Sequence, residues 1–425
     1  MKRLRLKPVI IATSLVMLFN SSTRAQRGPA GTLDLPKEFD TDVSTGCQGC
    51  ARGPIFRIRV VTLATGLINP SSMAFLPDGH GLLVTERGGG GRLRILRDGV
   101  LDPRPISGVP VADSRVARTQ FEHLISVAVH PKFAENHFVY VAYPKSGERG
   151  NTLAVARGRL EGMTFVDVHD VFIADTWLSS GAASFGGKLL FGPDGMLYVT
   201  VSDRDTLFAS GDGSQRMRAQ DLGSHAGKVL RLRDDGSVPA DNPFVNRAGA
   251  RPEIYTYGHR NMYGLAFHPE TGVLWEAELG PIAGDEINVL LPGRNYGWPL
   301  VSLGRHYNGE LVSDQPWWRP GIEMPRVFWS PALSPSSLTF VTSERFAPWK
   351  GNLLVGGLSG RQIQRIALNQ RPLHRERRES LLTQLGLRFR DVQQGPDGYL
   401  YIASEKTSDP VPDGAIMRIE PVESK

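Results

Sequence analysis

The residues best suited to chemistry lie between positions 253 and 299. In EIYTYGHRNMYGLAFHP (253–269), His259, Arg260 and Asn261 stand just past a β-rich run. A guanidinium beside an amide suits an anionic, carbonyl-bearing ligand, although solvated loop arginines are the commoner case. In ELGPIAGDEINVLLPGRNYGWP (278–299), Gly280-Pro281 can leave backbone carbonyls pointing into a cavity. Together with Asp285 and Glu286, such oxygens would suit a hard cation such as Ca2+. Asp-Glu pairs are also ordinary solvated turns, so the metal reading depends on the surrounding pattern.

Other chemistries are excluded or weak. There is no Gly-x-Ser-x-Gly elbow and no P-loop. The glycine run 88–91 reads as a turn between strands, without the helix N-terminus that cradles phosphate. His130 and His268 sit in repeated His-Pro turns and read as structural. Cys47 and Cys50 form Cys-Gln-Gly-Cys, but Ala51 stands where haem attachment needs histidine. Two cysteines alone build no zinc site, and a local disulfide in an oxidising compartment is expected.

The elements that must position these residues are short strands. A strand running into Pro-Asp-Gly or a similar turn, followed by a second strand, recurs at 73–87, 124–143, 187–204, 264–278, 337–357 and 390–405. Asp-Gly between apolar runs marks a hairpin, because glycine supplies the positive φ. The spacing is that of propeller blades with insertions. The reading is therefore all-β, a six-bladed β-propeller over 54–425. IFRIRVVTLATGL (55–67) is expected to pair with GAIMRIEP (414–421), closing the ring between the chain ends.

Residues 1–25 carry a basic start (Lys2, Arg3, Arg5, Lys7), an apolar run from Val9 to Phe19, and Thr23-Arg24-Ala25. This is the pattern of a secretory signal peptide cleaved after Ala25. Residues 26–53 read as a linker or loosely packed arm. The formal charge of +6 falls to about +1 without the leader, because the leader holds five basic residues and no acidic one. Charge thus offers no support for a nucleic-acid or membrane-surface partner, and no membrane span is expected after cleavage. The expected location is periplasmic or secreted.

GHRN, then GPIAGDEIN, then RNYGWP, in order and close together, resemble the signature of the soluble PQQ-dependent glucose/aldose sugar dehydrogenases, the glucose/sorbosone dehydrogenase family. The resemblance extends over most of 60–420, through LISVAVHPKFAENHFVYVAY, FGPDGMLYVT, GKVLRLRDDGSVPADNPF and RFRDVQQGPDGYLY. It implies a six-bladed propeller binding PQQ and Ca2+, with a small-molecule aldose as substrate and an external electron acceptor. It implies that Arg260 and Asn261 contact the quinone, and that Arg260 stabilises charge developing on the quinone oxygen. It implies that Arg388 and Arg390 pair with PQQ carboxylates and that the carbonyls of Gly280 and Pro281 hold the cofactor's Ca2+. Glu286 and the carbonyl of Tyr296 match a second, structural Ca2+ site.

The departures fall mainly on the site. The position matching the family's catalytic histidine is Ser184, which has no suitable pKa for a base. Ala183 precedes it, Ser359 replaces a PQQ-contacting lysine, Phe121 (beside Gln120) replaces a glutamine, and Met262-Tyr263 replaces Pro-Gln. His123 and His225 are the histidines that could substitute as base, each with a structural role as the commoner alternative. The leading expectation is a quinoprotein oxidising the C1 hydroxyl of aldoses to lactones. The alternatives are a non-catalytic propeller binding carbohydrate or protein, and a Ca2+-dependent lactonase.

Overall fold

A computed structural model of the chain describes residues 33, 35–44, 55–79, 81–112, 123–179, 184–205, 214–315, 317–368 and 376–422. The expected signal peptide, Cys47, Cys50, Gln120, Phe121 and Ala183 lie outside the described residues. The strands form six antiparallel sheets, five of four strands and one of five. Blade 1 runs from Pro70–Phe75 to Val100–Leu101, blade 2 from Ser126–Val129 to Thr164–Ile173, and blade 3 from Gly186–Phe191 to Ile254–Tyr257. Blade 4 runs from Met262–Phe267 to Val327–Trp329, and blade 5 from Pro335–Phe340 to Arg377–Leu381. Blade 6 combines Arg388–Gln394, Leu400–Glu405 and Gly414–Pro421 with Ile55–Leu67 and Glu38–Ser44 from the other end of the chain. The six-bladed propeller expected from the repeats is the fold.

The Pro-Asp-Gly turns work as the sequence implies. Gly79, Gly195 and Gly398 take φ of +74°, +75° and +82°. In two of these turns the aspartate also accepts from the amide two residues on, Met196 to Asp194 and Tyr399 to Asp397, both at 3.1 Å.

Apolar alternation along each strand gives each blade two greasy faces, and these meet the next blade. The buried side chains accordingly form six clusters, one at each interface between neighbouring blades. Each fully buried Val, Leu, Ile or Phe contributes about 1.5–3 kcal/mol. The first strands of neighbouring blades touch around the ring and line the central channel.

The ring closes as expected. Ile55–Leu67 pairs antiparallel with Gly414–Pro421, Val60 opposite Ile419 and Thr62 opposite Met417. The linker expectation for 26–53 needs correction in one part. Glu38–Ser44 is a fifth strand, pairing with Ile55–Leu67 from Glu38 opposite Val61 to Ser44 opposite Ile55. Phe39 and Val43 face the cluster between blades 5 and 6, while Asp40 and Asp42 meet Arg59 and Arg57 at 2.8 Å on the outer face. Its apolar alternation is only two residues deep, too short to stand out from a polar arm. Among the described residues no helix is long and apolar enough to cross a membrane.

Candidate functional site at the channel mouth

The GHRN turn begins at Gly258, whose φ is +78°. A Cβ there would lie 2.1 Å from Asn295 Oδ1, so only glycine fits. The turn buries Arg260 and Asn261. Arg260 Nη1 donates to the carbonyls of Leu279 and Gly280, both at 2.8 Å, and its backbone N–H donates to Glu278 Oε2 at 2.7 Å. Its guanidinium lies 5.4 Å from the Trp298 ring centroid. Asn261 Oδ1 is buried with no hydrogen-bond partner. Arg260, Gly280, Glu286 and Tyr296 line one small cavity, and Pro281 follows on the same turn beneath Gly304. The structure therefore brings this part of the expected set together.

Around that cavity, blade 4 buries more carboxylate than the sequence reading foresaw. Glu278 stands opposite Glu286 and Glu276 opposite Asn288. Asn288 Nδ2 is shared among Glu276, Glu278 and Glu286 at 3.2, 3.3 and 3.5 Å. Burial, and then the charge of Glu278, push the carboxyls of Glu276 and Glu286 well above the usual range. Tyr296 donates its hydroxyl to the Val289 carbonyl at 2.6 Å and stacks on His259 with centroids 4.8 Å apart. Glu276 and Glu278 were missed; their spacing of two on one strand, which puts both on one face, was the available signal.

Arg388 and Arg390 lie in blade 6 and converge on one carboxylate. Glu405 accepts from Arg388 Nε at 3.1 Å and Arg390 Nε at 2.8 Å. It also accepts from Asn69 at 2.9 Å, with Arg87 Nη2 at 3.5 Å. Burial alone would raise the Glu405 carboxyl, but the charges of Arg390 and Arg87 override it and hold it at about 2. Arg390, Arg87, Lys188, Tyr263 and Ser336 line the mouth of the channel. Lys188 Nζ stands 3.4 Å from Asp391, which also caps the Met73 amide at 2.8 Å. Arg260 lines the separate cavity of blade 4 and Arg390 the mouth, so the two expected arginines stand in different cavities, while Arg388 lines neither.

At the position of the expected base, Ser184 is buried and its carbonyl accepts from Ser202 Oγ and, at 3.1 Å, Arg204 Nη1. Ser359 is exposed, its Oγ 2.7 Å from Ser334 Oγ. His225 is engaged structurally: Nδ1 accepts from the Asp175 amide at 2.9 Å and Nε2 faces Glu253 at 3.6 Å. His123 is buried beside the Arg87 strand, and desolvation lowers its proton affinity. Asp203 was not anticipated. Its backbone N–H donates to the Arg260 carbonyl at 2.8 Å, and its Oδ2 accepts from Trp298 Nε1 at 2.7 Å. Burial pushes its carboxyl up to about 6, against the pull of Arg260. Nothing in the motif VSDRD marks that aspartate until the fold places it under Trp298.

The mouth of the propeller gathers Arg87, Arg390 and Lys188, side chains of the kind that pair with anionic groups. The Glucose / Sorbosone dehydrogenase family model matches residues 67–417, and the chain belongs to that family of sugar dehydrogenases. It is 36% identical over 375 residues to the aldose sugar dehydrogenase YliI of Escherichia coli, covering 86% of this chain and 93% of that one. A glucose dehydrogenase crystal structure is 38% identical, with TM-score 0.75 over 86% of this chain and 99% of that chain. The PQQ-bound aldose sugar dehydrogenase of Streptomyces coelicolor is 27% identical, with TM-score 0.66 over 86% of this chain and 98% of that chain.

Proposed function

We propose that the chain is an exported quinoprotein that oxidises the C1 hydroxyl of aldoses to lactones, delivering the electrons through PQQ to an external acceptor. Family membership supports the sugar-oxidising part, and the PQQ-bound relative supports the cofactor. The leader pattern of residues 1–25 supports export to the periplasm or medium.

The observation that carries the reading is the donor set. PQQ is a flat tricarboxylate, and Arg87, Lys188 and Arg390 face one cavity at the channel mouth. Asn261 adds a buried acceptor without a partner. Arg87, Lys188 and Arg390 fit the carboxylates of the group, while Arg260 lines a separate cavity. Arg388 and Arg390 would hold carboxylates, Arg260 and Asn261 the quinone edge, and the Gly280 and Pro281 carbonyls its Ca2+. Glu286 and the Tyr296 carbonyl would hold the second Ca2+. When bound, PQQ supplies a two-electron acceptor for hydride. Arg260 sits in a dry setting where its charge acts at full strength on developing negative charge. Because Ser184 cannot serve as base, the proton of the sugar hydroxyl is assigned to the carboxylate of Asp203, whose affinity near pH 6 suits that task.

Anaerobic titration of PQQ into the Ca2+-loaded mature protein, followed by an aldose, tests this. A saturable absorbance change that bleaches on adding sugar is expected. No change would remove PQQ from the account. A second reading, a propeller that kept the fold and lost turnover, is favoured by Ser184 and by the depth of Asp203, which is 2% exposed. Binding without bleaching would select it.

A further inference from the structure

We propose that His259, Glu276 and Glu278 form a site for a first-row divalent transition ion such as Zn2+ or Mn2+, separate from the Ca2+ positions given above to Gly280, Pro281, Glu286 and Tyr296. One ligand atom from each of the three residues falls within 4.8 Å of the others, and all three residues are buried. His259 Nδ1 lies 3.8 Å from Glu276 Oε2 and 3.8 Å from Glu278 Oε2. That is too long for a hydrogen bond. It suits two ligands sharing one ion, each at roughly 2.0–2.2 Å.

A hydrogen bond on one nitrogen holds the His259 ring in place. Its Nε2 meets Thr256 Oγ1 at 2.9 Å, leaving Nδ1 directed at the carboxylates with no partner. A metal-binding histidine is ordinarily held in this way, by a hydrogen bond on its second nitrogen. Glu276 Oε1 and Asn288 Oδ1 are likewise buried without partners. Among the described residues no lysine or arginine forms an ion pair with Glu276 or Glu278, and His259 is the basic group that faces them. Buried carboxylates with no cation, facing an unpartnered imidazole nitrogen, are costly unless neutralised, and an ion between them would satisfy the nitrogen where a proton on one carboxyl neutralises only that carboxyl. The nitrogen ligand makes the choice of ion. Ca2+ takes oxygen ligands, whereas imidazole with carboxylate suits zinc and its neighbours. Glu278 also accepts the Arg260 amide, so the ion would brace the turn that presents Arg260.

The test uses the mature full chain, stripped with chelator, held in saturating Ca2+ and titrated with Co2+ without PQQ. One Co2+ per chain is expected, with d–d absorption showing nitrogen ligation and displacement by Zn2+. Glu276→Gln should weaken binding at least 100-fold, while Glu286→Gln should keep the Co2+ spectrum. Zn2+ should also raise the melting temperature of the unsubstituted protein in Ca2+, a readout that needs no variant. No Co2+ uptake in Ca2+, uptake unaffected by Glu276→Gln, or loss of the spectrum in Glu286→Gln would overturn the proposal. Because PQQ is absent throughout, failure here leaves the dehydrogenase reading untouched, and failure of that reading leaves this one standing.

Discussion

Arg388 and Glu405 are direct cross-strand partners in blade 6, joined at 3.1 Å, and the same carboxylate also holds Arg390. A buried anion clamped by several cations is charged wherever the protein is folded. Its pKa is lowered from 4.5 to about 2, so its stabilisation is complete above pH 4.5 and is lost as pH falls towards 2. Glu405→Gln leaves the arginines without their anion and should cost about 3 kcal/mol at pH 7. Urea unfolding checks this. The penalty should shrink as the pH is lowered below 4.5; a penalty constant from pH 7 to 3 would refute the electrostatic account.

Asp203 has the opposite sign. Its pKa is raised from 3.8 to about 6, so its favourable contribution is present below pH 3.8 and lost as pH rises through 6. At pH 8 the buried charge is a burden. Asp203→Asn should therefore be as stable as the parent or more so at pH 8, by on the order of 1–3 kcal/mol. It should also lower kcat at least 100-fold. In the parent, kcat should rise with pH through about 6, and a profile flat from pH 5 to 8 would remove Asp203 as base.

Ser184→His restores an imidazole where relatives by resemblance carry their base. With Asp203 as base, turnover should change by less than about threefold. A gain of about 100-fold would instead mean that the unmodified chain binds sugar or cofactor without turning over. Single-turnover kinetics with PQQ and Ca2+ supplied separate the two.

Truncation after Asp413 removes the strand Gly414–Pro421, which pairs with Leu400–Glu405 on one side and Ile55–Leu67 on the other. Ile416, Met417 and Ile419 are fully buried on it. The truncated chain should lose its cooperative thermal transition, read by circular dichroism. A truncated chain that melts like the parent would mean that the ring does not depend on its closure.

The fold was legible because its turns are chemical: Pro-Asp-Gly fixes hairpins by glycine's φ, and the apolar runs beside them set the blade count. Closure by 55–67 and 414–421 was legible because both are unpaired β-rich runs at opposite ends. The site was legible only in part. Arg388 and Arg390 were found through resemblance, but Glu405 was not, although the hairpin turn at 395–398 sets it opposite Arg388. Asp203 could not be read at all, and Glu276 only through its spacing from Glu278, because their character comes from burial beneath residues distant in sequence, Trp298 and His259. A carboxylate in a string of letters carries no dielectric.

Among the described strands, Gly414–Pro421, which completes blade 6, is the last to be made. Until Pro421 has emerged, the edge of Ile55–Leu67 that it covers stands open, and the nascent molecule is an unjoined arc. Arg388 and Arg390 belong to that same blade, so the channel mouth stays incomplete until its strands have been made and joined. A chain stalled before Gly414 would present a sticky β edge to its neighbours.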